Sequence, residues 1–136
     1  MYIKQVSIFI ENREGRLDDV LETLKVNNVN IMSMSLADTS EYGLLRLIVS
    51  DPEGAKKCLK ENGFSAMLTN VIGIKLIHEV GKLQDIITHL GKENINIEYM
   101  YSISSGNEDM PIVIKTSDME KTLTIIQEQG AEIYTC

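Results

Sequence analysis

Hydrophobic and polar residues alternate near the start of the chain and then change to a helical spacing. Apolar residues occupy every second position from Val6 to Ile10, which is typical of a β-strand with one buried face. After Gly15, apolar residues recur at the spacing of one helix face. These helix positions are Leu17, Val20, Leu21 and Leu24. The pattern therefore predicts a strand that leads directly into a helix.

The following segments predict two more strands, a second helix and a closing strand. Asn-Val-Asn at 28–30 ends the first helix, the second strand begins at Ile31, and residues 44–49 form the third. The second helix begins at Asp51-Pro52, because Asp is a good N-cap and Pro is tolerated in the first turn. Residues 64–68 close the unit. The positions predicted to face inward on the second helix are Ala55, Cys58 and Leu59.

The chain repeats itself at an offset of 66 residues. Between residues 6–36 and 72–102, nine of 31 positions are identical. In the first segment these positions are Ile8, Gly15, Leu17, Asp19, Leu24, Asn28, Asn30, Ile31 and Met34. The repeat predicts two domains, residues 1–68 and 69–136, which join near Met67–Val71. Because no Pro-, Gly- or Ser-rich linker separates them, we expect the domains to pack together.

The second half predicts the same elements in the same order. Gly81 precedes a helix, residues 112–116 form a strand, Asp118 caps a second helix, and residues 131–134 close the unit. The inward positions are Leu83, Ile86, Ile87 and Leu90 on one helix and Met119, Thr122, Leu123 and Ile126 on the other. The order βαββαβ is that of the ferredoxin-like α+β fold. We expect two such units side by side, with antiparallel sheets and helices on one face.

Composition and charge restrict the class of partner and the compartment. Hydrophobic residues make up 43% of the chain and charged residues 24%, as in soluble globular proteins. Thirteen Lys and Arg against 20 Asp and Glu give a net charge of -7, which disfavours nucleic acid and anionic membranes as partners. Two cysteines, Cys58 and Cys136, do not make a disulfide framework, so we expect a cytoplasmic protein.

The residue types predict neither catalysis nor a cofactor. The histidines are His78 and His89, and the sequence contains no CxxC, HExxH or phosphate-binding glycine loop, so no metal site is expected. Cys58 falls on the apolar side of its helix, where an inert buried thiol is expected. The third strand of each unit lacks the aromatic residues on which RNA-recognition modules stack bases.

The clearest local signal for function is the turn from the first strand into the first helix. Gly15 lets the backbone turn sharply and lets a ligand approach closely. The N–H groups of Gly15, Arg16 and Leu17 would point out of the helix start, where a carboxylate fits. Asn12 offers a donor and an acceptor, which suit the ammonium end of an amino acid. The alternative, a tight turn with Asn12 as a plain helix cap, stays open on the residue types alone.

The two units resemble tandem ACT domains, the small-molecule-binding modules named from aspartate kinase, chorismate mutase and prephenate dehydrogenase. Glu-Asn-Arg-Glu-Gly-Arg-Leu at 11–17 resembles the family's turn, in which Asn precedes a spacer, Gly, a basic or small residue, and Leu. Asn-Val-Asn-Ile at 28–31 and Asn-Ile-Asn-Ile at 94–97 resemble the family's exit from helix to second strand. The resemblance covers essentially the whole chain.

This resemblance implies a non-catalytic module that binds a free amino acid between two units. It also implies regulation of a separate enzyme of amino-acid metabolism, and the open sheet face would suit a homodimer or an enzyme partner. The implied ligand-binding residues are Asn12, Arg13, Glu14, Gly15, Arg16, Leu17 and Asn30, then Val80, Gly81, Lys82 and Leu83, and a facing wall of Glu98, Tyr99, Met100 and Tyr101. Asn30 is expected near the first turn, at the start of the second strand.

Several alternatives stay open at this point. The second turn has His78 in place of Asn12, which leaves recognition of an amino group there undecided. Residues 98–101 are equally explained by ordinary alternation, with Tyr99 and Tyr101 on one face and Met100 on the other. For the whole chain, the competing functions are an interaction subunit without a ligand and a small enzyme on a ferredoxin-like scaffold.

Overall fold

The computed structural model describes residues 1–38, 41–76, 80–104 and 111–136. The chain divides into two compact units. The N-terminal unit is Lys4–Thr69, and the C-terminal unit is Asn70–Cys136 together with Met1–Ile3. The predicted domains, 1–68 and 69–136, divide the chain near the same point but assign the first three residues to the other unit.

The N-terminal unit contains two helices and an antiparallel sheet in the predicted order. Its elements are β1 (Ile3–Glu11), α1 (Arg16–Val26), β2 (Ile31–Asp38), β3 (Tyr42–Val49), α2 (Pro52–Glu61) and the first half of β4 (Ser65–Lys75). The strands lie in the order β2-β3-β1-β4, and β3 is antiparallel to both of its neighbours. This is the arrangement of a ferredoxin-like unit, as predicted.

The C-terminal unit repeats the arrangement. After the second half of β4 its elements are α3 (Lys82–Lys92), β5 (Ile97–Ser102), β6 (Ile112–Thr116), α4 (Met119–Glu128) and β7 (Glu132–Tyr134). The strands lie in the order β7-β4-β6-β5, and all of these pairs are antiparallel. The two-fold βαββαβ order and the α+β class are confirmed.

One boundary differs from the prediction. The strand that closes the N-terminal unit and the strand that opens the C-terminal unit are a single element, Ser65–Lys75. No Gly or Pro interrupts the chain between Ser65 and Ile72, so nothing in the backbone forces a turn there. The described residues therefore contain seven strands, where separate strands at 64–68 and from Ile72 would give eight.

The predicted helix faces form the cores of the two units. On α1, Val20 and Leu24 are fully buried against the sheet, and Leu17 packs at the edge of the same cluster. All three predicted inward positions of α2 are buried. In the C-terminal unit the fully buried helix residues include Ile86, Leu90, Thr122 and Ile126. Each unit thus buries a helix layer against one face of its sheet, as expected for this fold.

The second helix of each unit begins with the same side-chain cap. The amide of Gly54 donates to Asp51 Oδ1 at 3.1 Å, and Pro52 opens the helix. In the C-terminal unit the amide of Lys121 donates to Asp118 Oδ1, also at 3.1 Å. Each carboxylate satisfies a donor that the helix cannot pair internally. Both predicted caps are confirmed. No helix of the described residues is long and apolar enough to cross a membrane.

Candidate functional site

The first helix of each unit begins at a glycine in the left-handed backbone region. Gly15 has φ 83° and ψ -15°, and Gly81 has φ 84° and ψ -2°. In neither case does a described side chain cap the helix. Apart from the neighbouring residues in the chain, no heavy atom of the described residues lies within 4 Å of the place that a Cβ would take at either glycine. Glycine is therefore needed at both positions for its backbone conformation, which other residues adopt only with strain.

These two helix starts leave backbone amides without partners inside the helix. The first α-helical hydrogen bond of α1 runs from the Asp19 amide to the Gly15 carbonyl at 3.0 Å, and that of α3 from Asp85 to Gly81 at 3.0 Å. The Arg16 amide donates to the Arg13 carbonyl at 3.5 Å. The amides of Leu17 and Asp18 in α1, and those of Leu83 and Gln84 in α3, point out of the helix end, where the helix dipole also favours an anion. We call residues 12–18 the first open turn and residues 80–84 the second open turn.

Asn12 is not the cap of α1. Its backbone amide donates to the Glu41 carbonyl at 3.1 Å, while neither Asn12 nor any other described side chain accepts a hydrogen bond from the helix start. The residue is exposed. The interpretation of Asn12 as a plain helix cap is therefore wrong, and its side-chain amide lies at the surface of the first open turn. Of the other predicted residues here, Arg13 and Glu14 are exposed, and Arg13 pairs with Glu11 at 2.7 Å.

Arg16 is held against the N-terminal unit. Its guanidinium carbon lies 4.4 Å from the centre of the Phe64 ring, a distance typical of a cation–π contact. Nη1 lies 3.4 Å from Asp19 Oδ2, and the buried Nε has no hydrogen-bond partner among the described residues. This keeps a positive charge beside the first open turn. In the C-terminal unit Lys82 occupies the position equivalent to Arg16, and Ala131 occupies the position equivalent to Phe64.

The second open turn differs from the first in its side chains. Val80 is fully exposed at its tip, and Lys82 and Leu83 are half-buried. The first turn of α3 carries Gln84 where α1 carries Asp18, so it has one carboxylate fewer to repel an anion. His78, which the sequence left undecided, lies outside the described residues.

The strand expected to form a facing wall follows ordinary alternation. The rings of Tyr99 and Tyr101 are stacked with centres 6.5 Å apart and planes at 17°, so both lie on one face of β5. Met100 packs against the core on the other face. Glu98 pairs with Lys115 at 3.7 Å. The buried side of the strand is thus explained by packing, and a role for these residues in binding stays a prediction.

Asn30 does not lie beside the first open turn. It follows the C-terminal end of α1, whose 11 residues span about 16 Å. Its backbone amide donates to Ser50 Oγ, and its carbonyl accepts from the Ser50 amide, both at 2.9 Å. The predicted position beside the turn is wrong for this unit, because the helix separates the two ends.

A pocket of about 360 Å³ lies at this opposite end of α1. Its lining residues are Leu21, Leu24, Lys25, Asn28, Val29, Asn30 and Ile31. Asn28 adopts a left-handed conformation with φ 58°, as does Asn94 at the same place in the repeat. The sequence predicted residues 28–30 only as the end of the helix. The signal that could have indicated the sharp turn beside the pocket is Asn28 itself, because Asn is enriched in the left-handed backbone region.

Cys58 is a structural thiol. It is buried in the core, and its Sγ donates to the Ala55 carbonyl at 3.3 Å. Burial raises the pKa of the Cys58 thiol, which disfavours the reactive thiolate. Within the described ranges no three His, Cys, Asp or Glu side chains are grouped to hold a metal ion.

Comparison with known proteins indicates a family. Residues 1–134 match a family model described as an ACT domain pair. A crystal structure of a Bacteroides thetaiotaomicron protein is similar at 39% identity, over 98% of this chain and 92% of that chain, with a TM-score of 0.90. No curated protein matches the chain.

Two solved regulatory subunits share the fold at low identity. The ligand-free regulatory subunit of aspartate kinase from Thermus thermophilus is 13% identical, over 93% of this chain and 91% of that chain, with a TM-score of 0.62. The corresponding subunit from Thermus flavus is 14% identical, over 93% and 92%, with a TM-score of 0.63.

Proposed function

The chain belongs to the ACT domain pair family, and from that premise we propose that it is a non-catalytic regulatory or sensor protein for a free amino acid. The amino acid is held between two ACT-like units. Its binding shifts the packing of units or subunits and so regulates a separate enzyme of amino-acid metabolism. We further propose that the protein works in the cytoplasm as a homodimer.

The observation that carries this proposal is the pair of open turns. Both units begin their first helix at a left-handed glycine to which no described side chain adds a cap, and both begin their second helix with a capping aspartate. Unpaired amides at a helix start are a site for a carboxylate. A feature that occurs twice, at the same place in a repeat, calls for a common explanation, and an α-carboxylate ligand supplies one.

The side chains of the first open turn suit the rest of an amino acid. The exposed Asn12 carbonyl can accept from the ammonium group, while Arg16, held by Phe64, adds positive charge near the carboxylate. Gly15 contributes its left-handed backbone conformation, and Leu17 contributes a backbone amide that can donate to the carboxylate. We propose that Val80 to Leu83 form a second, weaker site, and that residues 98–101 supply the wall that contacts the ligand side chain.

The folds of the neighbours support the regulatory part of the proposal. The Thermus proteins are regulatory subunits of aspartate kinase, and this chain covers nearly their whole length in the same fold. At 13% and 14% identity the similarity is one of fold. It therefore does not identify the enzyme that this protein regulates. The amino acid itself is the first thing to identify.

A thermal-shift screen against the twenty amino acids tests binding directly. A ligand at about 100 times its dissociation constant stabilises the folded state by about 2.7 kcal/mol. For a chain of this size that raises Tm by about 5–10 °C. We expect one amino acid, or a few related ones, to raise Tm at millimolar concentration. A flat response to all twenty would contradict the proposal.

The variant Asn12→Ala then tests the site. Loss of the acceptor for the ligand's ammonium group is expected to weaken binding by about 1–3 kcal/mol, measured by titration calorimetry. Tm without ligand should stay at the wild-type value, because Asn12 is exposed and does not cap the helix. Lys57→Ala, on the exposed side of α2 in the same unit, serves as the control and should bind like wild type. Equal affinity in both variants would remove Asn12 from the site.

A further inference from the structure

The side chain of Arg16 is held beside the first open turn by an aromatic ring. Its guanidinium carbon lies 4.4 Å from the centre of the Phe64 ring. The polar contacts of this residue are long, because Nη1 lies 3.4 Å from Asp19 Oδ2 and the backbone amide lies 3.5 Å from the Arg13 carbonyl. Both distances exceed those of a well-formed hydrogen bond. The stacking on the ring is therefore the best-formed contact of Arg16.

One nitrogen of Arg16 has no partner in this conformation. Its Nε atom is buried and makes no hydrogen bond among the described residues. A buried N–H group without an acceptor costs free energy of about the size that a cation–π contact contributes. The conformation in which Arg16 stacks on Phe64 is therefore nearly balanced, and an acceptor that reaches the guanidinium would favour a different one.

Phe64 connects this contact to the strand that both units share. Its ring is buried in the core of the N-terminal unit, and its amide donates to the Leu59 carbonyl near the end of α2 at 2.9 Å. The next residue, Ser65, begins β4, which continues without interruption to Lys75 in the C-terminal unit. A movement of the ring would therefore act on the beginning of the strand that leads into the other unit.

The C-terminal unit lacks an equivalent contact. The pair that corresponds to Arg16 and Phe64 there is Lys82 and Ala131, and a methyl group has no ring face on which a cation can stack. Ala131 precedes β7, a strand of three residues within the same unit. The stacked pair is thus present in the unit whose closing strand continues into the next unit, and it is absent from the other.

From these observations we infer that Arg16 and Phe64 form a switch, which transmits amino-acid binding at the first open turn to β4. The α-carboxylate at the amides of Leu17 and Asp18 accepts a hydrogen bond from the guanidinium, a favourable charged pair, and the guanidinium leaves the ring. Phe64 then repacks at the start of β4. The second open turn binds without this effect. The inference rests on the amino-acid binding of the proposed function and adds how that binding is transmitted.

Phe64→Trp gives a direct readout of the switch, because the chain contains no tryptophan. An indole ring also stacks on a guanidinium, so the contact is kept in the free protein. We expect the indole fluorescence to change on titration with the amino acid found in the screen, and to saturate with the dissociation constant that calorimetry gives. Phe9→Trp, at an exposed position of β1 in the same unit, is the control and should not respond.

Phe64→Leu distinguishes a switch from a ring that only holds Arg16 in place for binding. If the ligand draws the guanidinium off the ring, loss of the ring removes a contact of the free protein alone. Amino-acid binding should then tighten by about 2–5-fold, measured by calorimetry. A ring that only positioned Arg16 would instead give weaker binding when it is removed.

Hydrogen exchange of Ser65–Lys75 tests the transmission to β4. In wild type we expect exchange in this strand to change when the amino acid is added, and in Phe64→Leu we expect no change at saturating ligand. Phe64→Tyr keeps the ring and should restore the response. Arg16→Met leaves the ring in the core and removes the cation, so it should also lose the response.

These measurements separate the inference from the proposed function. Weaker binding in Phe64→Leu would overturn the inference alone, and so would an indole that does not respond while calorimetry shows binding. If calorimetry detects no binding of any amino acid to wild type, the proposed function fails and the inference fails with it.

Discussion

The four described helices begin in two different ways. α2 and α4 begin with an aspartate whose carboxylate accepts an amide of the first turn. α1 and α3 begin with a left-handed glycine and no side-chain cap. A cap stabilises a helix by using the same amides that could bind an anion. The comparison teaches that each unit caps one of its helix starts with a side chain, whereas the other start has no described side-chain cap.

The two starts also differ in what a mutation should do. At a capped start the side chain contributes to folding, so its loss lowers the free energy of unfolding. At an open start the backbone conformation is what matters for folding, while the neighbouring side chains are expected to act on the affinity for the proposed ligand. Stability and binding are therefore separable by the choice of helix.

The largest effect is expected from Gly15→Val. A β-branched residue at φ 83° is strained, and we expect a loss of about 1–3 kcal/mol in the free energy of unfolding. Urea denaturation measures it. Gly15→Asn should cost clearly less, because Asn tolerates the left-handed region. Since a Cβ meets no atom within 4 Å, equal losses in the two variants would show that the backbone conformation is not the reason for glycine.

The caps should give the next largest effect. Asp51→Ala and Asp118→Ala are each expected to lower the free energy of unfolding by about 0.5–2 kcal/mol, because each leaves a helix amide without its acceptor. Asn12→Ala, at an open start, should change it very little. If Asn12→Ala destabilised the protein as much as the aspartate variants, the distinction between capped and open starts would be lost.

The smallest effect is expected from a carboxylate next to the ligand. Asp18 lies in the first turn of α1 and would repel the anion that we propose binds there. Asp18→Asn should therefore tighten amino-acid binding by about 0.3–1 kcal/mol, and less so at high salt. Titration calorimetry at two salt concentrations measures it. Glu120→Gln, in the first turn of the capped helix α4, should leave the affinity unchanged; weaker binding in Asp18→Asn would contradict an anion at this turn.

Much of the fold could be predicted because the same pattern of strands and helices occurs in both halves of the sequence. The period of Leu17, Val20 and Leu24 identified the buried face of α1, and Asp51-Pro52 identified the start of α2. The continuous strand β4 was missed because both halves of it fit the pattern of separate strands. Only the backbone of the folded chain, in which Ser65–Lys75 is one strand, shows that there is no turn.

The candidate site was predicted less completely. The type and spacing of Asn12 and Gly15 indicated a turn that suits an amino acid, but whether Asn12 caps the helix depends on dihedral angles that residue types do not determine. The resemblance to the family placed Asn30 near the turn, although a helix of 11 residues separates them. The stacking of Tyr99 on Tyr101 likewise depends on how β5 pairs with β6.

Amide chemical shifts during titration with the amino acid found in the screen test the central claim most directly. The account predicts that the shifts of the Leu17 and Asp18 amides change most, followed by those of Leu83 and Gln84. The amides of Gly54 and Lys121 should change little, because Asp51 and Asp118 already occupy them. Saturable changes centred on the capped helices, with none at the open turns, would contradict the account.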